Sequence, residues 1–231
     1  INFAIVDFAF DESPQNCTGV VFRAQESSFL LGYIAGLTTK TDKVGYVGPM
    51  KSFLNDQFQY GYMGGVAYAG YGQGREIEVQ SQFTESYSDA AKAKAISNKM
   101  YSNGCDIIFH SAGGAGYGVI ESAKENGKLV IGVDTDQSHL APDNVLTSGM
   151  KNTNIAVELV STMAMNGEEI GGNTYSYGLK EGCVGIPEEN KIMDPAVYEK
   201  AMELQQMIID EELTPPVSEE TYQAFVEGLG K

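Results

Sequence analysis

Two aspartates directly follow a strongly apolar run near the middle of the chain. The run Lys128–Gln137 reads KLVIGVDTDQ, so Asp134 and Asp136 come after four apolar residues that only a glycine interrupts. Such a run predicts a strand buried on both faces. A carboxylate at the end of that strand can accept hydrogen bonds from ligand hydroxyl or amine groups, each worth roughly 1.5–3 kcal/mol. The alternative is that Asp134 only caps the loop or starts a turn.

A glycine-rich loop, SAGGAGYG at residues 111–118, lies between a predicted strand and a predicted helix. Its glycine spacing is not that of a dinucleotide-binding fingerprint, and it lacks the Gly-Lys-Ser/Thr ending of a P-loop. Gly113 and Gly114 therefore fit a backbone that passes close to a ligand or makes a tight turn better than they fit a phosphate cradle.

Three further positions could carry chemistry, each with an ordinary alternative. Tyr87 precedes a predicted helix, where it could stack on a flat ligand, but by itself it fits a hydrophobic staple better. Lys151 is either a cationic donor or a surface lysine. His110 and Ser111 are adjacent in a strand, so their side chains point to opposite faces, and no GxSxG motif accompanies them. A hydrolase triad is therefore not favoured.

Composition removes several classes of function. The net charge of −16 argues against binding nucleic acid or an anionic membrane through a basic field. Three widely spaced cysteines and two histidines argue against a zinc site and a disulfide scaffold, and we expect neither metal nor cofactor. No stretch approaches 18 consecutive apolar residues, and the chain begins INFAIVD, so we expect neither a transmembrane helix nor a signal peptide in it.

The elements that must position these groups alternate between strand and helix. Strands are predicted over 2–6, 20–22, 43–47, 77–82, 107–110 and 129–133, with helices near 27–38, 52–69, 89–102 (capped by Ser88) and up to 125. This repeat predicts a parallel sheet covered by helices on both faces. After residue 142, short strands are predicted over 145–148, 174–177 and 184–186, and helices over 152–165 and 195–210.

Five segments, taken in order, carry a resemblance to a known family. They are FRAQESSFLLGYIAGLTTK, KVGYVG, DIIFHSAGGAGYGV, VIGVDTDQS and DNVLTSGMK. They resemble the basic membrane protein (BMP) family of solute-binding lipoproteins that serve ABC transporters, which includes purine nucleoside receptors. The resemblance covers residues 1 to about 212 and leaves the stretch 214–231 without an assignment.

The resemblance implies an α/β fold of the type I periplasmic-binding-protein kind. Two doubly wound parallel-sheet lobes are joined by a hinge and close on the ligand. Residues 1–39 and 148–170 would form the first lobe and 41–147 the second, while strands and a helix of 171–231 would pack at the hinge or a lobe. The family's N-D-x-S-F-N pattern and lipidated cysteine are not in this sequence, so we expect an incomplete first lobe and a fragment of a longer precursor.

The resemblance also implies ligand-binding roles. Asp7 matches the aspartate that faces the cleft from the first lobe, Asp134 the acidic residue that holds ribose hydroxyls, and Lys151 the lysine after the second crossing strand. Tyr87 falls where the family usually has a phenylalanine. A tyrosine there adds a hydroxyl that needs a partner if it is buried.

Two glycines complete the implied site, since Gly113 and Gly114 match a loop beside the ligand. The implied function is that of an extracytoplasmic lipoprotein, at the cell surface or in the periplasm. It would capture a purine nucleoside for an ABC permease, would not act as an enzyme, and would meet the membrane only through a lipid anchor. The alternatives are a binding protein for a nucleobase, flavin or pentose, and a ligand-sensing regulatory protein of the same fold.

Overall fold

The computed structural model describes residues 1–12 and 14–230. Residues 13 and 231, which belong to the predicted segments 1–39 and 171–231, lie outside the described residues. The strands are β1 (Phe3–Val6), β2 (Cys17–Phe22), β3 (Lys43–Gly48), β4 (Glu78–Phe83), β5 (Ile107–His110), β6 (Leu129–Asp134), β7 (Val145–Lys151), β8 (Thr174–Tyr177) and β9 (Val184–Gly185). The α-helices are α1 (Ala24–Thr38), α2 (Phe53–Gln73), α3 (Ala90–Ser102), α4 (Gly116–Asn126), α5 (Thr153–Met165), α6 (Pro195–Ile209) and α7 (Glu219–Gly228).

The strands form two sheets, in line with the two parallel-sheet lobes that the family resemblance implies. A three-stranded parallel sheet has the order β1-β2-β8, and a six-stranded sheet has the order β4-β3-β5-β6-β7-β9. All neighbours in the larger sheet run parallel except β7 and β9, which pair antiparallel. The predicted α/β architecture with parallel sheets is confirmed. Among the described residues, no helix combines the length and the apolar character needed to cross a bilayer.

The centre of the six-stranded sheet is buried on both faces. All four residues of β5 are buried. Ile107 and Phe109 enter the core beneath α1 and α2, whereas Ile108 enters the core beneath α3 and α4. This alternation is the period-2 pattern of a strand, and it explains why an unbroken apolar run is stable here.

Helices α1 and α2 cross at very close range because glycines face the partner backbone. A Cβ atom at Gly32 would overlap the Tyr62 carbonyl, and a Cβ atom at Gly65 would overlap the Phe29 carbonyl. Phe29 and Tyr62 are fully buried at this crossing. This close packing fixes the position of α2 on the sheet. The first turn of α2, which follows β3, therefore lies at the carboxyl end of the strands.

One predicted helix cap is wrong by a single residue. The sequence predicts Ser88 as the cap of α3, but the side chain of Asp89 accepts the Lys92 N–H at 2.9 Å. A cap oxygen must reach a backbone N–H two or three residues further on, and Ser88 lies one position too early for Lys92. The backbone N–H of Ser88 instead donates to the Ser86 hydroxyl at 3.1 Å.

Two parts of the C-terminal third differ from the predicted elements. The strand predicted over 145–148 extends to Lys151, because Gly149 and Met150 also pair with β6, and Met150 and Lys151 pair with β9. The stretch 214–231 contains α7, which Ser218 opens with a capping box to Thr221. Strand β8 joins β2 in the three-stranded sheet.

Candidate functional site

The carboxyl ends of both sheets meet at a cleft of about 230 Å³. Ligands of open α/β sheets bind at this edge. The lining residues come from strand ends, from the loops after them and from the starts of α1 and α2: they are Asp7, Phe22, Ala24, Leu54, Asn55, Gln57, Phe58, Tyr87, Ser111, Gly113, Val133, Asp134 and Lys151. Five of the six residues predicted from the sequence therefore lie around one cavity.

Asp134 ends β6 with its backbone in the left-handed region, at φ 67°. The Thr135 N–H donates to the Val133 carbonyl at 2.8 Å, which closes a γ-turn around Asp134 and turns its side chain out of the strand. Burial raises the pKa of the Asp134 carboxyl, the Lys151 ammonium opposes that rise and the Asp7 carboxylate adds to it. A carboxylate this poorly hydrated gains strongly from ligand hydroxyl donors.

Asp7 and Lys151 join the two sheets across the cleft. Lys151 ends β7 of the larger sheet, Asp7 follows β1 of the smaller one, and the Lys151 Nζ donates to the Asp7 Oδ2 at 2.6 Å. The same ammonium lies 5.3 Å from the centre of the Phe22 ring, within range of a cation–π interaction. Asp7, like Asp134, has a positive φ, of 60°.

Tyr87 presents an aromatic ring at the cleft, and its hydroxyl has a partner. The Asn55 Nδ2 donates to the Tyr87 Oη at 3.1 Å. The Tyr87 side chain remains 51% exposed, so much of its surface is available to a ligand. Tyr87 is therefore not buried, and its hydroxyl nevertheless has a polar partner in Asn55 of α2.

The two predicted glycines differ in their position. Gly113 lines the cleft and adopts φ 56°, a conformation that glycine allows without strain. Within the described chain, the cleft lining does not include Gly114, where a Cβ atom would lie 3.3 Å from the Tyr87 carbonyl oxygen. The Ala115 N–H donates to that same oxygen at 2.9 Å, which ties the glycine turn to Tyr87.

His110 and Ser111 do not form a nucleophile–base pair. The His110 Nε2 lies 3.0 Å from the Gln137 Oε1, and the Ser111 Oγ lies 2.7 Å from the Tyr46 hydroxyl. In residues 1–12 and 14–230, no group of three or more His, Cys, Asp or Glu side chains could hold a metal ion.

The sequence-based prediction missed the contribution of α2. Asn55, Gln57 and Phe58 line the cleft because α2 follows β3 at the carboxyl edge of the sheet. Their signal was positional: a helix that directly follows a parallel strand presents its first turn to this edge. The residue types in that turn do not by themselves indicate ligand binding; the order of the strands in the sheet is needed to place the turn at the cleft.

A second, larger cavity of about 530 Å³ lies beside Arg23 and the end of α6. The Arg23 guanidinium, the main cationic donor in this cavity, already donates to Glu26 at 2.5 Å and to Glu181 at 2.8 Å, so these hydrogen bonds compete with binding of a ligand. The smaller cleft combines the Asp134 carboxylate with the accessible ring of Tyr87, so we assign the candidate site to it.

Known proteins show the same sequence pattern. A family model described as ABC transporter substrate-binding protein PnrA-like (Bmp) matches residues 1–219. The chain is 40% identical over 238 residues to basic membrane protein B of Borreliella afzelii (strain PKo), covering 100% of this chain and 67% of that protein. It is 39% identical over 231 residues to basic membrane protein A of Borreliella afzelii, covering 98% of this chain and 70% of that protein.

Solved structures show the same fold at low sequence identity. An ABC transporter solute-binding protein from Aeropyrum pernix K1 superposes with a TM-score of 0.84 at 24% identity, over 99% of this chain and 75% of that one. A transcriptional activator of the comK gene from Bacillus halodurans gives 0.82 at 21% identity, over 94% and 72% of the two chains. The predicted periplasmic-binding-protein-like fold is thereby confirmed.

Proposed function

Because this chain belongs to the Bmp family of PnrA-like ABC transporter substrate-binding proteins, we propose that its cleft binds a purine nucleoside for delivery to an ABC permease. The predicted family resemblance is confirmed, and with it the general class of solute-binding protein. The nucleoside, the permease and an extracytoplasmic location as a lipoprotein at the cell surface or in the periplasm are parts of the proposal.

The observation that carries the proposal is one carboxylate facing the cleft beside one accessible aromatic ring. Asp134 can accept hydrogen bonds from two adjacent ribose hydroxyls, and the Tyr87 ring can stack on the flat base. The amide group of Gln57 is suited to the polar edge of a purine, since it carries both donors and an acceptor. The Asn55 Nδ2 already donates to the Met50 carbonyl at 2.8 Å and to the Tyr87 Oη at 3.1 Å.

Binding would close the two sheets on the ligand by a hinge motion. Closure needs a higher ligand affinity in the closed arrangement than in the open one. Asp7 and Lys151 support this role, because their ion pair already connects the smaller sheet to the larger one. We extend the proposal to the lobes, with residues 1–39 and 148–170 in the first and 41–147 in the second. The proposed boundary at 147/148 falls within β7.

Isothermal titration of guanosine, inosine and adenosine tests the proposal. We expect saturable binding of at least one nucleoside, which is recovered chemically unchanged because the site binds and does not catalyse. Guanine, riboflavin and ribose form the comparison series. Saturation by one of these, with no binding of the three nucleosides, would contradict the proposal and assign the cleft to that ligand class.

Two tyrosines provide a matched pair of variants for the same titration. Tyr87→Ala removes the ring from the cleft and should weaken nucleoside binding by about 1–3 kcal/mol, the range of base stacking on an aromatic side chain. Tyr117 has similar exposure, 58% against 51%, and is not part of the described cleft lining. Tyr117→Ala should leave the affinity unchanged, and equal losses in both variants would remove Tyr87 from the site.

A further inference from the structure

The turn that presents Asp134 is held from behind by a buried side chain. A γ-turn with positive φ is an unfavourable conformation for a non-glycine residue, and it persists only where the surroundings enforce it. The ladder between β5 and β6 ends at the pair Phe109–Ile131, two residues before Val133. The backbone of Val133 therefore has to find its partner outside β5.

Gln137 supplies that partner. Its Oε1 accepts the Val133 N–H at 3.1 Å, in the place where a neighbouring strand would offer a carbonyl oxygen. Its own backbone N–H donates to the Ser148 Oγ of β7 at 3.1 Å. Gln137 thus connects the end of β6 to β7, and it is itself buried.

His110 completes the arrangement, and its protonation follows from the geometry. The Val133 N–H can only donate, so the Gln137 atom that faces it is the amide oxygen. The His110 Nε2 lies 3.0 Å from the same oxygen and must carry the proton. Full burial lowers the pKa of His110 to about 4, so the ring is neutral near pH 7.

Two glycines leave the space that these side chains occupy. A Cβ atom at Gly132 would overlap both the Gln137 Oε1 and the Ser148 Oγ. A Cβ atom at Gly116, at the start of α4, would overlap the His110 ring. The absence of side chains at Gly132 and Gly116 therefore leaves room for the Gln137 amide and the His110 ring to pack against the end of β6.

We propose that Gln137 and His110 are positioning residues of the ligand site, which hold the Val133–Thr135 turn so that the Asp134 carboxylate faces the cleft before a ligand arrives. The proposal rests on the proposed function for the role of Asp134. It assigns Gln137 and His110 an effect on binding although neither is among the described residues that line the cleft.

Gln137→Met tests the proposal, because it keeps the length of the side chain and removes the acceptor. We expect guanosine to bind at least about tenfold more weakly, the loss of one well-placed hydrogen bond. Gln59→Met is the matched control, since Gln59 is a buried glutamine of α2 that does not belong to the described lining. In an Asp134→Asn background, Gln137→Met should cost nothing further.

A measurement without ligand separates this proposal from the proposed function. We expect Gln137→Met to speed amide hydrogen exchange at Val133 and Thr135, and to shift the carboxyl ¹³C titration of Asp134. If the unmodified chain binds no nucleoside but these two changes occur, the proposed function fails and the positioning role stands. If exchange and titration are the same in Gln137→Met and the unmodified chain, the positioning role is wrong.

A second variant covers the case in which Gln137→Met does not fold. Gln137→Asn keeps the amide and retracts it by one methylene, so that it no longer reaches both Val133 and His110. The ¹⁵N spectrum of the unmodified chain is a further check, because the proposal requires the neutral Nε2–H form of His110 near pH 7. A proton on Nδ1 would contradict it.

Discussion

The two aspartates of the cleft both have a positive φ but are supported in opposite ways. Asp134 has φ 67° and Asp7 has φ 60°. Asp134 ends a buried strand at the centre of a six-stranded sheet, and Gln137 holds its turn from behind. Asp7 follows β1, an edge strand on which Phe3 is 53% and Ile5 is 41% exposed.

The difference shows that one side of the cleft is pre-organised and the other is not. The larger sheet fixes its ligand-binding groups through core packing and buried hydrogen bonds, which keep side chains in place without a ligand. The smaller sheet holds Asp7 chiefly through the Asp7–Val20 backbone hydrogen bond of 2.8 Å and the ion pair with Lys151. This chain spans about two thirds of the length of the curated basic membrane proteins.

The largest expected effect comes from breaking the packed side of the molecule. Gly65→Ala places a methyl group against the Phe29 carbonyl at the crossing of α1 and α2. We expect the free energy of unfolding to fall by about 3 kcal/mol, the upper part of the overpacking range, because backbone must move to relieve the overlap. Urea unfolding followed by circular dichroism measures the loss.

Gly72→Ala is the control for that substitution, since Gly72 lies in the same helix and a Cβ atom there would meet nothing within 4 Å. Alanine is the better helix former, so this variant should gain up to about 1 kcal/mol. A similar loss in both variants would show that α2 tolerates no alanine at all, and that close packing against α1 is not the reason.

The packed side should also impose a pH dependence through His110. Its pKa falls from the ordinary 6.5 to about 4 in the folded protein. Between these values the unfolded chain binds a proton that the native protein does not, so stability is lost as the pH drops from 6.5 towards 4. The full difference corresponds to about 3 kcal/mol as an upper bound.

Urea unfolding at pH 7, 6 and 5 measures this slope. His110→Gln can still donate to Gln137 and cannot titrate, so it should flatten the curve. His139→Gln substitutes the exposed histidine of the chain and should leave the curve as it is. Equal slopes for His110→Gln and the unmodified protein would show that His110 is not buried in the neutral form.

The smallest effect on folding is expected on the open side. Edge strands with exposed apolar side chains pair with other chains, and a lysine on the edge prevents this. Ile5→Lys should therefore reduce self-association in sedimentation velocity at high concentration, with a change in stability within about 0.5 kcal/mol. Val157→Lys removes an apolar residue of comparable exposure, 51% against 41%, from helix α5 and should not have this effect. Self-association that is unaffected by Ile5→Lys would contradict a role for the β1 edge.

Much of the larger sheet could be predicted from the sequence, because each of its central strands is a short apolar run that can be recognised without knowledge of the rest of the fold. The strand 107–110 was predicted with its observed bounds, and the β6 run placed Asp134 at a strand end. Strand 174–177, which belongs to the smaller sheet, was also predicted with its observed bounds. A strand buried on both faces is apolar throughout, so the first and last residues of the strand can be recognised from the limits of the apolar run. The same holds for α6, where Asp194 caps a helix that begins with Pro195.

The parts that were missed depend on contacts between residues far apart in the chain. The extension of β7 to Lys151 follows from pairing with β6 and β9, and the Asn55–Tyr87 hydrogen bond joins residues 32 positions apart. Gln137 was read only as part of a motif, because its bond to His110 depends on the order of strands in the sheet. Helix α7 was missed although Ser218 and Thr221 offered a capping signal.

The most direct test of the account compares two aspartates of one loop. Asp134→Ala should weaken guanosine binding by at least about 1.5 kcal/mol in a calorimetric titration, because it removes a charged acceptor from the cleft. Asp136→Ala removes a carboxylate that instead accepts the Ser138 N–H at 2.9 Å, and it should leave the affinity unchanged. Unchanged affinity in a folded Asp134→Ala variant, or equal losses in both variants, would contradict the central claim that the γ-turn at the end of β6 presents the ligand-binding carboxylate.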